Sequence, residues 1–307
     1  MAFKGIIYME LHQNIIFQEI SLNDKNLIDK YLKQENFMIS DISFGNLFIW
    51  RLARKITFCI INDCLIIETT YENQSPFCFF PIGLGDKKSA LKILNAYYKS
   101  KGQKLTFHSL EKKNIELLKE VFGNEISPIL NRDRSDYIYR TKDLIELAGR
   151  KYHKKKNHLN RFLEEYKGFT FELIGENNLT ELLKTWEKWD KAGDDKGLQN
   201  ESKGIVSVFE NYMNLGLLGG FLRYNGKIIA FSFGEIISKN LCIIHIEKAD
   251  IQYKGAYQAI NQQLLLYCFN DITYVNREED LGIEGLRKAK MSYNPEIILE
   301  KYEVTIF

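Results

Sequence analysis

The stretch LGGFLRYNGKIIAFSFGEIISKNLCIIHIEKAD, residues 218–250, decides the fold. Two β-rich runs flank Asn225-Gly226, a dipeptide suited to a two-residue turn whose central residues both take positive φ, so LGGFLRY and KIIAFSFGEII read as a hairpin. LCIIHIEKAD is the strand that follows, and beyond it the apolar period changes. AYQAINQQLLLYCF (256–269) reads as a helix, DITYVN (271–276) as a strand, IEGLRKAKMSY (283–293) as a helix and EIILEKYEVTIF (296–307) as closing strands. Antiparallel hairpins followed by strand, helix and strand predict an α/β (α+β) mixed sheet with helices on both faces.

Upstream, KYHKKKNHLNRFLEEY (151–166) reads as a helix, FTFELI (169–174) as a strand, and NNLTELLKTWEKWDKAG (177–193) and GIVSVFENYMNLG (204–216) as helices. The first half has a similar order. Ser21, with Asp24 three residues on, caps a short helix, and Phe44, Phe48 and Trp50 read as exposed aromatics of a loop. ITFCIINDCLIIETTY (56–71) is a hairpin about Asn62-Asp63, FCFFPIG (77–83) a third strand, and KKSALKILNAYYKSKG (87–102) a helix with apolar positions 91, 94, 97 and 98. LTFHSL is a strand, EKKNIELLKEVFG a helix ending at Gly123, and a strand near Asp136 to Arg140 closes this half. No sequence repeat is visible, yet the repeated order in a chain of 307 residues predicts two domains, 1–142 and 143–307.

With 45% hydrophobic and 27% charged residues and four prolines, the chain is neither disordered nor fibrous. A formal charge of +2 calls for no nucleic-acid or membrane partner by itself, so such a partner has to be argued from local clusters. Cys59, Cys64, Cys78, Cys242 and Cys268 have neither CxxC nor metal-ligand spacing and read as reduced residues, most of them in the core; no metal site is expected. MAFKGIIYMELHQN lacks the apolar region of a signal peptide, and no apolar run approaches the roughly 20 residues that span a bilayer. A cytoplasmic protein is expected.

KKKNHLNRF (154–162), EKAD (247–250), VNREEDLG (275–282) and GLRKAKMSYNP (285–295) together resemble the phosphatidylglycerol lysyltransferase C-terminal-domain family. The resemblance implies a tandem GNAT-like (acyl-CoA N-acyltransferase) fold akin to Fem-type transferases, which move an amino acid from aminoacyl-tRNA to an amine or hydroxyl. It implies no tightly bound cofactor, with aminoacyl-tRNA or acyl-CoA as donor substrate. The acceptor, a small molecule or a lipid, stays open.

On the helix near 150–166, Arg150, Lys154, Asn157 and Arg161 gather on one face, opposite the apolar stripe of Tyr152, Leu159, Phe162, Leu163 and Tyr166. Six Lys and Arg and no acid fall between 150 and 161, so this face suits phosphates such as those of tRNA, or is an ordinary solvated surface. Gln252, Gly255 and Ala256 stand where a GNAT-like fold holds a coenzyme A pyrophosphate on backbone amides, although Tyr257 occupies the last position of that pattern. Glu278, Glu279 and Asp280 follow a strand, as α/β ligand sites do, and are candidates to orient or deprotonate a nucleophile; their alternative is acids that suit a helix dipole. Arg287 and Lys290 are candidates to stabilise developing negative charge. Lys290 falls within the apolar sector of Ile283, Leu286 and Tyr293, which calls for a carboxylate or ligand partner. His245 and Glu247, two residues apart in a strand, are further candidates, His245 as a base or as a satisfied buried histidine. Trp186 and Trp189 read as packing residues. The rival reading in another class is a non-enzymatic module that binds tRNA or a polyphosphate on a decayed GNAT scaffold.

Overall fold

The computed structural model describes residues 15–190 and 193–307, so the N-terminal segment MAFKGIIYMELHQN lies outside the described residues. Two compact units are formed, one running to Arg134 and taking up Glu300–Phe307 again, the other being Ser135–Leu299. Each has a seven-stranded mixed sheet with helices packed on it, the mixed α/β architecture expected from the order of elements.

The first unit holds β1 (Gln18–Glu19), β2 (Lys55–Ile61), β3 (Cys64–Thr70), β4 (Phe77–Cys78), β5 (Leu105–Leu110) and β6 (Ile129–Leu130). The second holds β7 (Asp136–Arg140), β8 (Thr170–Leu173), β9 (Leu218–Tyr224), β10 (Lys227–Ser238), β11 (Leu241–Ala249), β12 (Tyr274–Asn276) and β13 (Ile297–Leu299). The last strand, β14 (Tyr302–Ile306), belongs to the first sheet, whose order is β1-β2-β3-β4-β5-β14-β6. The second sheet runs β13-β7-β12-β11-β10-β9-β8.

The division therefore differs from the one expected at residue 142. β7 does not close the first half: it pairs antiparallel with β12 and β13 in the second sheet, while β14 pairs with β5 and β6 in the first. Each unit borrows a strand that chain order assigns to the other, and the strand patterns alone carry no partner information. A second difference is local. Phe44–Trp50 is a helix capped by Ser43, whose hydroxyl accepts from the Asn46 amide, and Phe44 and Phe48 are buried. An aromatic run without clear periodicity is easily read as a loop.

The two turn signals behave as their residues require. Asn62 and Asp63 take φ of 49° and 57°, and Asn225 and Gly226 take 48° and 74°, joining β2 to β3 and β9 to β10. In the second unit the helix Ala256–Cys268 packs through Ala259, Ile260, Leu264 and Leu265 into the same core as Tyr152 and, on the helix His153–Glu165 that follows it, Leu159 and Phe162. Burying such side chains stabilises by roughly 1.5–3 kcal/mol each. Leu163, by contrast, is exposed. The five cysteines are free, all but Cys268 buried, and no helix among the described residues is long and apolar enough to cross a membrane.

Candidate functional site

β11 and β12 run parallel but pair over three positions only, Leu241 with Tyr274, Cys242 with Val275 and Ile243 with Asn276. Since β11 continues to Ala249, the segment from Ile244 onward parts from β12 and opens the sheet. On the other side β10 stays paired, but the register slips. Phe233 faces Ile246 and Gly234 faces Ile244, so His245 is the extra residue of a β-bulge. Gly234 permits it, because a Cβ there would lie 2.0 Å from the Ile243 carbonyl oxygen.

The bulge delivers His245 between two carboxylates. Its Nε2 lies 2.8 Å from Glu235 Oε1 on β10 and its Nδ1 2.8 Å from Glu278 Oε1 beyond β12, with the side chain 1% exposed. Burial alone disfavours the charged ring, but hydrogen bonds and the attraction of Glu235 and Glu278 outweigh it and push the pKa up to about 9. At neutral pH His245 is therefore an imidazolium donating from both nitrogens, not a base.

Glu278 sits in a loop held in uncommon backbone. Glu278 and Leu281 have φ of +58° and +54°, a region costly for residues with a side chain unless the surroundings impose it. Here they do. The Glu278 amide donates to Asn276 Oδ1 at 2.7 Å, and the Asn276 amide group donates to Asp136 Oδ2 at 2.9 Å. Lys290 Nζ donates to the carbonyls of Arg277 and Glu278. Asp280, fully buried, accepts from Tyr137 Oη, from the Gly282 amide at 2.9 Å and from Arg287 Nε and Nη2, each at 2.8 Å. Burial resists its ionisation, yet the Arg287 and Tyr137 hydrogen bonds hold its pKa well below the usual carboxylate range.

A second buried ion pair lies alongside. Arg277 Nη2 donates to Glu247 Oε1 at 3.0 Å, and Asn261 Nδ2 donates to the other Glu247 oxygen at 3.0 Å. The guanidinium lies 5.8 Å from the Tyr139 ring centre and 4.9 Å from that of Tyr293, and its Nη1 is buried without a hydrogen-bond partner. The opening of β11 from β12 is thus lined by carboxylates, an imidazolium, a guanidinium and an ammonium on a braced loop. Such groups can bind an ammonium or hydroxyl, take its proton, and face a developing oxyanion with fixed positive charge.

The profile of the family described as "Phosphatidylglycerol lysyltransferase, C-terminal" matches residues 34–305. The chain belongs to that family. A conserved protein of unknown function from Bacteroides thetaiotaomicron is 34% identical, with a TM-score of 0.89 over 95% of this chain and 100% of that one. L-PGS from Bacillus licheniformis is 16% identical, with a TM-score of 0.65 over 94% of this chain and 93% of that one. An uncharacterized protein of Mycoplasmoides gallisepticum is 29% identical over 181 residues, 58% of each chain, so the match spans little more than half of that relative.

In this member of the lysyltransferase C-terminal family, the candidate residues fall into three groups. Glu278, Lys290, His245 and Glu247 come together at the opening, with Glu279 half-buried beside them. Asp280 and Arg287 pair with each other and fix the loop. Lys290 is held by main-chain carbonyls rather than by a carboxylate, and burial, reinforced by Arg277 and opposed by Glu278, lowers its pKa to about 8. It does not share a buried apolar sector as expected: Ile283 and Leu286 are exposed, and only Tyr293 is buried.

Gln252, Gly255 and Ala256 form a turn in which the amides of Gln252 and Ala256 are already used. The Gln252 amide donates to Asp250 Oδ1 and the Ala256 amide to the Tyr253 carbonyl, both at 3.0 Å. Gly255, at φ +91°, is packed so tightly on the helix His153–Glu165 that a Cβ would lie 2.6 Å from the His158 carbonyl oxygen and 2.8 Å from Phe162 Cβ. The glycine serves helix packing. Arg150, in the 3-10 turn Arg150–Tyr152 that precedes that helix, and Lys154, Asn157 and Arg161 on it are all exposed, but Arg161 does have a carboxylate four residues on, its Nε lying 3.5 Å from Glu165 Oε2. Trp186 packs edge-on against Phe231 and Trp189 stacks on it.

As site residues the reading of the sequence omitted Glu235, Asn261 and Tyr139, and it took Tyr293 only as an apolar neighbour of Lys290. A usable signal existed for Glu235, an acid directly after a glycine inside the apolar run KIIAFSFGEII, since a carboxylate is seldom buried without a partner.

Proposed function

We propose that the second unit is an aminoacyltransferase site that moves an aminoacyl group from aminoacyl-tRNA to a hydroxyl or amine. The observation that carries this reading is Glu278, held in left-handed backbone between the His245 imidazolium and Lys290 where β11 leaves β12. The acceptor's O–H or N–H loses its proton to Glu278 or Glu279 as it attacks the ester carbonyl. Negative charge collects on that carbonyl oxygen beside Lys290, an ammonium with three donors of which two are taken by carbonyls. Collapse breaks the ester bond and releases the tRNA ribose oxygen, which takes the proton back from the carboxylate.

Two features favour aminoacyl-tRNA over acyl-coenzyme A. The turn at Gln252–Ala256 spends the amides of Gln252, Tyr253 and Ala256 locally and closes Gly255 against a helix, which leaves a pyrophosphate poorly served. The same helix exposes a row of cations next to that turn, suited to the phosphates of an acceptor stem. The family description points to a lipid hydroxyl as acceptor, and such a donor places the reaction in the cytoplasm.

The test is transfer from a radiolabelled mixture of aminoacyl-tRNAs to phosphatidylglycerol vesicles and, separately, to soluble amines, with acetyl-coenzyme A as the competing donor. Label moved only from tRNA supports the proposal, and transfer from the thioester alone overturns its donor. Salt-sensitive tRNA binding without any transfer favours the non-enzymatic module.

A further inference from the structure

The first unit encloses a polar cavity of about 30 Å³ that the site in the second unit leaves unexplained. Residues distant in sequence converge on it, among them Asp41, Arg54, Tyr71, His108, Lys301 and Glu303. Most of its charges have an evident counterpart. Lys301, fully buried, donates to Asp41, whose other oxygen accepts from the Ser109 hydroxyl at 3.0 Å. Glu303 accepts from Asn131 at 2.6 Å and lies 3.9 Å from His108 Nδ1.

Arg54 is different. It is 8% exposed, yet its acceptors are neutral: the Tyr71 phenol oxygen 2.8 Å from Nη1 and the Asn46 amide oxygen 3.5 Å from Nη2. Its Nε is buried and makes no hydrogen bond. The Tyr71 oxygen is shared as well, since it also accepts from Arg134 Nη2 at 3.3 Å. The nearby carboxylate, Asp41, is engaged directly by Lys301 and feels Arg54 only through space, so a guanidinium taken from water with neutral hydrogen-bond acceptors keeps part of its charge uncompensated, a costly arrangement unless an anion completes it.

The geometry points to a small oxyanion, the carboxylate or phosphate group of a small molecule, as the ligand of this cavity, with Arg54 as its counter-ion. Contact with Nε is not required, because the charge is spread over the guanidinium and acts through a poorly screened interior. His108 fits this role. It stacks on Phe77 with ring centres 3.9 Å apart and planes 10° apart, and burial, helped by Arg134 and opposed by Glu303, lowers its pKa, so at neutral pH it offers one neutral donor without a competing charge. The volume admits only a few ligand atoms, which selects a small head group.

Calorimetric titration of the full chain with acetate and with inorganic phosphate, against chloride at equal ionic strength, tests this inference. Saturable binding of at least one of the two is expected, weakened about tenfold or more by Arg54→Lys, which keeps a charge but loses the fork. Acetate binding alone identifies a carboxylate ligand, and phosphate binding alone a phosphate ligand. If Arg54→Lys does not fold, the side-chain Nε–H resonance of Arg54 in the wild-type protein decides, and it is expected to shift on titration with the anion that binds. No saturable binding of either anion, an unmoved Arg54 resonance, or equal affinity in a folded Arg54→Lys protein overturns the site. The outcome does not depend on the second unit, since the residues lining this cavity all belong to the first.

Discussion

Lys290 Nζ lies 3.1 Å from the main-chain carbonyl oxygen of Glu278, a residue whose φ is +58°. The ammonium also holds the Arg277 carbonyl, so one buried cation pins both peptide groups that enter the left-handed turn. Lys290→Met keeps the stem and removes both donors, leaving buried carbonyls unsatisfied at about 1–3 kcal/mol. A melting temperature lower by several degrees is expected together with a large loss of transfer. A variant of wild-type stability and activity contradicts the bracing role.

The His245 imidazolium links protonation to stability. Its pKa is about 9 in the folded chain against an ordinary 6.5, so the folded state binds the proton more tightly. This contribution is fully present below pH 6.5 and is lost as the pH rises to 9. Lys290 acts in the opposite sense over a higher window: its lowered folded value makes stability rise with pH between about 8 and its ordinary 10.5. Melting curves from pH 6.5 to 8 should therefore fall for the wild type and flatten in His245→Gln, and parallel slopes would exclude the link.

Glu278 and Glu279 can be separated by activity. Glu278→Gln keeps an acceptor near His245 Nδ1 but removes the base, and a loss of about 10²–10⁴ in kcat is expected. Glu279→Gln should have the smaller effect, because His245 orients Glu278 directly. Single-turnover rates with aminoacyl-tRNA measure both, and the reverse order moves the base to Glu279.

The basic face answers to salt. Reversing Lys154 and Arg161 to Glu removes two exposed cations, and releases Glu165 from its 3.5 Å contact with Arg161. Weaker tRNA binding with a shallower dependence of log Kd on log salt is expected, because fewer counterions are displaced. Unchanged affinity and slope in a filter-binding titration make this face merely solvated.

Gly255→Ala tests the packing role of the turn. The added methyl group meets His158 and Phe162 at a backbone angle unsuited to alanine, so a destabilisation of about 1–3 kcal/mol or more is expected by chemical denaturation. An ordinary surface glycine would cost far less.

Local chemistry made much of this protein legible from its sequence. Asn62-Asp63 and Asn225-Gly226 could accept positive φ, and the stripe of Tyr152, Leu159, Phe162 and Tyr166 could bury one helix face, whatever the rest of the chain did. The carboxylates after β12 and the cations of GLRKAK were visible because charge clusters next to apolar runs stand out. Strand ownership was not visible, since β7 and β14 satisfy their hydrogen bonds on sheets chosen by distant partners. Nor was the placement of His245, which depends on a one-residue slip against Gly234, or the closure of Gly255, which depends on a helix nearly a hundred positions earlier in the chain. Side-chain identity fixes what a residue can donate, accept or bury, but its neighbours, and hence its charge and role, are set by packing between segments far apart in the chain.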